Sequence, residues 1–261
     1  MPALSLEPPN SSVQVFYLMS DPNKTVTLFI QCLVDGIYPE VGEAMVRIFR
    51  RLGINLICPT KQTCCGQPAF NAGYRREAGV AAKRFIDIFE AAEVIVCPSG
   101  SCVTMVRHHY PQLFEDDDSW LQRARQVAAK TYELTEYLVD VLGVEDLGAH
   151  YDGTITYHDS CHLLRNLRVK AQPRKLLSKI SGAEFIEMND ADRCCGFGGS
   201  FSVKYADISA AMAADKVDNI IACGADTVVG CDMGCLMNIQ GMLSRKGVDI
   251  KIMHIAQILA A

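Results

Sequence analysis

The sequence predicts two tandem, similar α/β domains with mainly parallel sheets, related by a pseudo-twofold axis. Two observations carry this prediction. The first is a duplicated cysteine pattern. Cys32, the run Cys64-Cys65-Gly66 and Cys102 occupy one half; Cys161, Cys194-Cys195-Gly196 and Cys235 occupy the other. The intervals nearly match, at 32 and 33 positions from the first cysteine to the pair, then 37 and 40 from the pair to the last. The repeat period is therefore about 130 residues, half the chain. The second observation is an alternation of short apolar runs with amphipathic helical patterns, as in parallel sheets covered by helices.

Residues 1–24 read as an N-terminal tail and lead-in, with roughly the first dozen disordered. The first domain is assigned to 25–148 and the second to 149–261, with a glycine-rich junction at Gly143, Gly148 and Gly153. In each domain a β-branched and aromatic run leads into the first cysteine: Thr25 to Ile30 before Cys32, and Gly153 to His158 before Cys161. A second run, Val94-Ile95-Val96 or Thr227-Val228-Val229, leads into the last cysteine. Between them, Val41, Ala44, Met45, Ile48, Phe49 and Leu52 recur at helical spacing. The same period joins Ala78, Ala81, Ala82, Phe85 and Phe89, and Ile208, Ala211, Met212, Val217 and Ile221 in the second half. Glu115 to Asp118 reads as a solvated loop with a helix N-cap before Trp120. Helical patterns from Leu134 to Leu142 and from His254 to Leu259 close the two halves.

Composition narrows the function. With 261 residues, 49% hydrophobic, 21% charged and a net charge of −5, the chain is neither disordered nor a polybasic nucleic-acid binder. No apolar run reaches the roughly 18 residues of a membrane span. The start, Met1 to Pro9, lacks a basic n-region and is broken by prolines, which points to the cytoplasm. Twelve cysteines in a reducing compartment favour metal or redox chemistry over disulfides.

In open α/β sheets ligands gather beyond the carboxyl ends of strands, so all four cysteines of one half are expected on one rim. Soft thiolates select iron–sulfur clusters, zinc or Cu(I). Gly66, and Gly196, Gly198 and Gly199 in the second half, permit positive φ and a nest of backbone N–H donors around an anionic centre. Lys61, Arg165 and Arg193 are candidates for further positive charge. Cys97 and Cys231 are candidate extra ligands, whereas Cys58 and Cys223 read as small buried apolar residues. His158, Asp159 and His162 bracket Cys161. His158, His162 and Arg165 are the catalytic candidates, able to move a proton or hold a carboxylate; the plainer reading is that these groups hydrogen-bond the cysteine loop. No G-x-G-x-x-G follows an expected strand, so no nicotinamide or flavin site is expected.

The doubled Cys…Cys-Cys-Gly…Cys pattern resembles the cysteine-rich CCG-domain family, whose members include a heterodisulfide reductase component and the iron–sulfur component of glycolate oxidase. Several longer motifs are similar to the lactate-utilisation protein A family. They are Gln62-Thr63-Cys64-Cys65-Gly66-Gln67-Pro68-Ala69, Pro98-Ser99-Gly100-Ser101-Cys102, Asp159-Ser160-Cys161-His162, the run from Cys194 to Lys204, and the run from Gly234 to Ile239. The resemblance implies an iron–sulfur electron-transfer subunit in the oxidation of L-lactate to pyruvate, acting with a ferredoxin-like iron–sulfur subunit and a third small subunit. It implies one cluster on Cys32, Cys64, Cys65 and Cys102 and another on Cys161, Cys194, Cys195 and Cys235, with [4Fe-4S] favoured and zinc the alternative in one half. One departure stands out. The reductase relatives close each motif with Cys-x-x-Cys, giving five thiols per site, and here no Cys-x-x-Cys closes either motif. A thiol or disulfide reductase component and a zinc-stabilised module without redox chemistry are the alternative functions.

Overall fold

The computed structural model describes residues 25–261, so the expected tail and lead-in lie outside the described residues. The first sheet holds β1 (Thr25–Leu28), β2 (Asn55–Ile57), β3 (Ile95–Cys97) and β4 (Thr131–Glu133), in the order β2-β1-β3-β4. The second holds β5 (His150–His158), β6 (Ser181–Phe185), β7 (Thr227–Gly230) and β8 (Lys251–His254), in the order β6-β5-β7-β8. Every pairing is parallel. The duplication read from the cysteines is thus a duplication of topology, and the chain is α/β in two similar halves.

The helices cover the sheets with the faces that periodicity marks. In Pro39–Arg51, Val41, Ala44, Met45, Ile48 and Phe49 are all buried, while Arg47, Arg50 and Arg51 hold the other side. Burying each large side chain is worth about 1.5–3 kcal/mol. Asp117 caps the helix Asp118–Ala129 by accepting from Trp120 N. The helix Ala206–Cys223 departs from expectation. Ile208, Ala211 and Ile221 face solvent, and Ser209, Ala213, Lys216, Val217 and Ile220 face inward. The inward Ser209 and Lys216 hydrogen-bond the cysteine-bearing loop, so polar satisfaction of that loop sets the rotation of the helix. The closing segment from Leu134 becomes a π-helical turn over Tyr137–Val141.

The halves share one apolar core. Leu28, Met45 and Phe49 of the first join Ile155, Val228 and Leu259 of the second, whereas a smaller aromatic cluster around Phe29, Phe85 and Phe89 belongs to the first alone. Polar groups also cross the boundary. Ala256 N donates to His254 Nδ1, so the proton is assigned to Nε2, which is shared between the carbonyls of Pro98 and Cys231 at 3.0 and 2.9 Å. Gly100 packs against Leu163 so closely that a Cβ would lie 2.7 Å from the leucine Cβ.

Sheet register places Glu133 beside Cys97 and His254 beside Gly230, and each opens a helix through a capping box. Glu133 is fully buried with Oε1 unpaired, and burial raises its pKa from 4.5 to about 7. The folded state therefore holds a proton that the unfolded chain releases between those values. Wild-type stability, relative to Glu133→Gln, is expected to fall by roughly 3 kcal/mol between pH 4 and pH 8. Urea unfolding of both proteins across that range checks it, and a pH-independent difference would refute the assignment.

Candidate metal centre

In each sheet the two central strands feed helices from their carboxyl ends, at the point where strand order reverses and ligand crevices form. Cys32 begins the helix Cys32–Ile37 after β1, with Gln31 accepting from Val34 N as its cap. Cys102 lies in Gly100–Thr104 after β3, capped by Ser99. Cys161 follows β5, and Cys235 lies in Met233–Lys246 after β7. The adjacent pairs enter from the loops before Gln67–Asn71 and Phe201–Lys204.

The fold brings each quartet together. Thiol contacts run from Cys32 to Cys64, to Cys65 and to Cys102 in the first half. They run from Cys161 to Cys194, to Cys195 and to Cys235 in the second. Cys65 Sγ donates to Cys102 Sγ at 3.5 Å. Hydrogen bonds from Cys32 and Cys161 hold Cys64 and Cys194 far below the ordinary thiol range. The same contacts push Cys32 and Cys161 far above it. In the first half Cys102 is lowered as well, by hydrogen bonds from Cys65 and Cys97; a bound metal removes the remaining thiol protons.

Gly66 N and Gly196 N each donate to the first sulfur of the adjacent pair, Cys64 Sγ and Cys194 Sγ, at 3.4 Å. Both glycines need positive φ, +85° and +81°. The second carbonyl of each pair is clamped, by Tyr110 Oη on Cys65 O at 2.9 Å and by Asn238 Nδ2 on Cys195 O at 2.7 Å. Sequence reasoning missed both clamps, because unlike residues do the same task in the two halves. A Cβ on Gly196 would lie 2.6 Å from the Ser209 carbonyl oxygen, whereas one on Gly199 meets nothing within 4 Å. Gly199→Ala is therefore expected to cost about 1–2 kcal/mol from backbone strain alone. Gly196→Ala should cost a further ~1–3 kcal/mol, read as a lower urea midpoint.

The other candidates separate clearly. His158 is 1% exposed and both ring nitrogens lack a hydrogen-bond partner. One nitrogen lies within 4.8 Å of the sulfurs of Cys195 and Cys235. Burial, then the Lys216 charge, lowers its pKa to about 3 and keeps the ring neutral. Lys216 Nζ, its pKa lowered to about 8 by burial, donates to the carbonyls of Asp190 and Ala191 and so pins the loop leading to Cys194. Asp159 accepts both Arg174 terminal nitrogens at 2.9 and 2.8 Å, and it serves as a buried structural anchor. His162 reaches the cleft, with Nδ1 3.6 Å from Cys161 Sγ and Nε2 3.4 Å from Gln67 Nε2. Arg165 does not reach the cleft. It is exposed and donates to Asp192 O. Arg193 pairs with Asp190 and Asp215 at the surface, and Lys61 is exposed.

The remaining cysteines also sort themselves. Register aligns Cys97 with Gly230, so Cys97 and Cys231 occupy non-equivalent positions. Cys97 is buried against Cys102. Cys231 is buried with its sulfur 3.9 Å from an Asp232 oxygen. Cys58 is exposed and accepts from Gln62 Nε2, contrary to the buried reading. Cys223 is half-buried and donates to Ile220 O.

All eight repeated cysteines line one cleft of about 200 Å³ between the halves, together with Gly198, Gly199, His162 and Phe197. That volume lies below the roughly 300 Å³ at which organic-cofactor pockets begin, so the cleft suits inorganic centres and a small molecule. Its polar keystone is Asp232, 5% exposed, which sequence reasoning passed over. Asp232 accepts from Ser99 Oγ and Ser101 Oγ at 2.5 and 2.8 Å, from Ser101 N at 3.2 Å and from Ser160 Oγ at 2.6 Å. It thereby ties the rims of the two sheets.

Comparison with known proteins agrees with this construction. The cysteine-rich domain family matches twice, at residues 26–107 and 155–240. The chain is 52% identical over 234 residues to Lactate utilization protein A of Anoxybacillus flavithermus, covering 90% of this chain and 98% of that protein. It is 50% identical to Lactate utilization protein A of Bacillus subtilis, with the same coverage. A solved structure of a hypothetical protein from Helicobacter pylori superposes with a TM-score of 0.63 at 11% identity, which speaks to fold alone; it covers 98% of this chain, which spans 54% of that one. This chain therefore belongs to the cysteine-rich CCG-domain family and, within it, to the lactate utilization protein A family.

Proposed function

We propose that the chain is the iron–sulfur electron-transfer subunit of a cytoplasmic complex that oxidises L-lactate to pyruvate. The observation that carries this reading is the pair of cysteine quartets opening onto one cleft. Identity of 50–52% with proteins named for lactate utilization supports lactate as the substrate. The proposed partners are a ferredoxin-like iron–sulfur subunit and a third small subunit.

The residues present fit a thiophilic centre in each half: four converging thiols, a glycine N–H aimed at a sulfur, and in the second half an orphaned imidazole. When bound, an iron–sulfur centre supplies one-electron exchange. The chain's own groups hold the thiolates and keep water from them, as Cys65, Cys102, Cys195 and Cys235 are all buried. His162 has the geometry to donate from Nδ1 toward Cys161 Sγ while Gln67 occupies its other nitrogen. Cys65 and Cys102, their sulfurs 3.5 Å apart, would hold the centre of the first half together with Cys32 and Cys64. For the second half, the mixed nitrogen and sulfur donor set favours zinc as a second reading.

Anaerobic purification with iron, acid-labile sulfide and zinc analysis tests the proposal. A coloured protein carrying iron and sulfide is expected, and deletion of the gene should abolish growth on lactate as sole carbon source. A colourless protein with stoichiometric zinc and no iron would overturn it.

A further inference from the structure

We propose that His158 is a nitrogen ligand to the metal centre of the second half, so that the two halves hold chemically different centres. One is ligated by sulfur alone and the other by sulfur and nitrogen. This rests on reading the second quartet as a metal site and goes beyond it by assigning the donor set.

The pseudo-symmetry isolates the difference. His158, the last residue of β5, stands three positions before Cys161, and Phe29, directly after the equivalent strand β1, stands three before Cys32. Phe29 is fully buried and packs edge-on to Phe85 and Phe89, at 4.8 and 5.6 Å between ring centroids. The apolar residue satisfies its site in the first half. In the second half an imidazole occupies it, 1% exposed, with neither nitrogen hydrogen-bonded. Leaving a buried polar group unsatisfied costs about 1–3 kcal/mol, so packing alone does not account for a histidine here. What the ring does face is sulfur: a nitrogen and the Cys195 and Cys235 sulfurs lie within 4.8 Å of one another. A metal bonded at about 2.0–2.1 Å to nitrogen and 2.3 Å to sulfur needs the two atoms within about 4.4 Å, so the three donors stand within a few tenths of an ångström of ligating distance. Burial also denies His158 a substrate proton, which removes it from acid–base duty.

The test is made on dithionite-reduced protein purified anaerobically as the Cys65→Ser variant, which silences the first centre. Pulsed electron paramagnetic resonance should show the strong coupling of a directly bonded ¹⁴N. That coupling should change on ¹⁵N-histidine labelling, which needs no further substitution, and vanish in His158→Phe. His162, donating through an N–H to a sulfur, contributes only a weak coupling and serves as the internal contrast. Spectra indifferent to labelling and to His158→Phe would overturn the assignment. Cobalt(II) added to the metal-free Cys65→Ser protein gives a readout independent of iron. Its visible ligand-field bands should shift in His158→Phe, and unshifted bands would again overturn the proposal. If iron is absent but the cobalt bands shift, the electron-transfer reading fails while the histidine ligand stands.

Discussion

Replacing Cys195 by serine is expected to empty the second centre and leave the first intact. Cys195 is buried between Cys194 and Cys235, with its carbonyl fixed by Asn238. Serine offers a hard, poorly ionised oxygen where the site is built for a soft thiolate. Loss of a supporting residue outside the ligand shell already costs roughly 10–100-fold in metal affinity, so loss of a ligand should exceed that. Cys65→Ser should do the same to the first centre. Metal content should fall by the share of one half in each variant and to nothing in the double variant. A full metal complement in Cys195→Ser would remove that residue from the ligand set. Under the proposed function, either variant also stops growth on lactate.

Asp232→Ala is expected to loosen one half from the other. The carboxylate is buried and accepts from two serine side chains and a backbone N–H of the first half and from Ser160 of the second. Truncation leaves three hydroxyls and an amide without their acceptor. Hydrogen bonds to a charged group are worth about 1.5–3 kcal/mol each and are not additive, so a loss of roughly 3–5 kcal/mol is the expected scale. Asp232→Asn, which keeps one acceptor oxygen, should lie between. Urea unfolding with the tryptophan at position 120 as a first-half probe and far-ultraviolet circular dichroism as a whole-chain probe distinguishes the outcomes. Separated transitions in the alanine variant are expected. An unchanged single transition would show that the shared core around Met45, Ile155 and Leu259 suffices by itself.

The duplication was legible because a cysteine quartet repeated at matching intervals is improbable without a repeated scaffold. The face of Pro39–Arg51 was equally legible, since its apolar period meets only a sheet. The helix Ala206–Cys223 was not. Apolar periodicity favours Ile208 and Ile221, yet Ser209 and Lys216 turn inward to serve carbonyls that local sequence does not reveal. Arg165 misled for a related reason. Its position close after Cys161 says nothing of direction, and a π-helical turn over His162–Asn166 carries His162 to the cleft and Arg165 to the surface.

Composition, periodicity and cysteine spacing determined the fold class, its doubling and the membership of each quartet, because the alternation of strand and helix patterns and the repeat interval are written locally in the chain. Tertiary structure alone decided three things: that both quartets open onto one cleft, that Asp232 joins their rims, and that His158 rather than Arg165 faces sulfur. Each depends on contacts between segments far apart in the chain, as between Ser99 and Asp232. Such contacts carry no local period for a sequence to display.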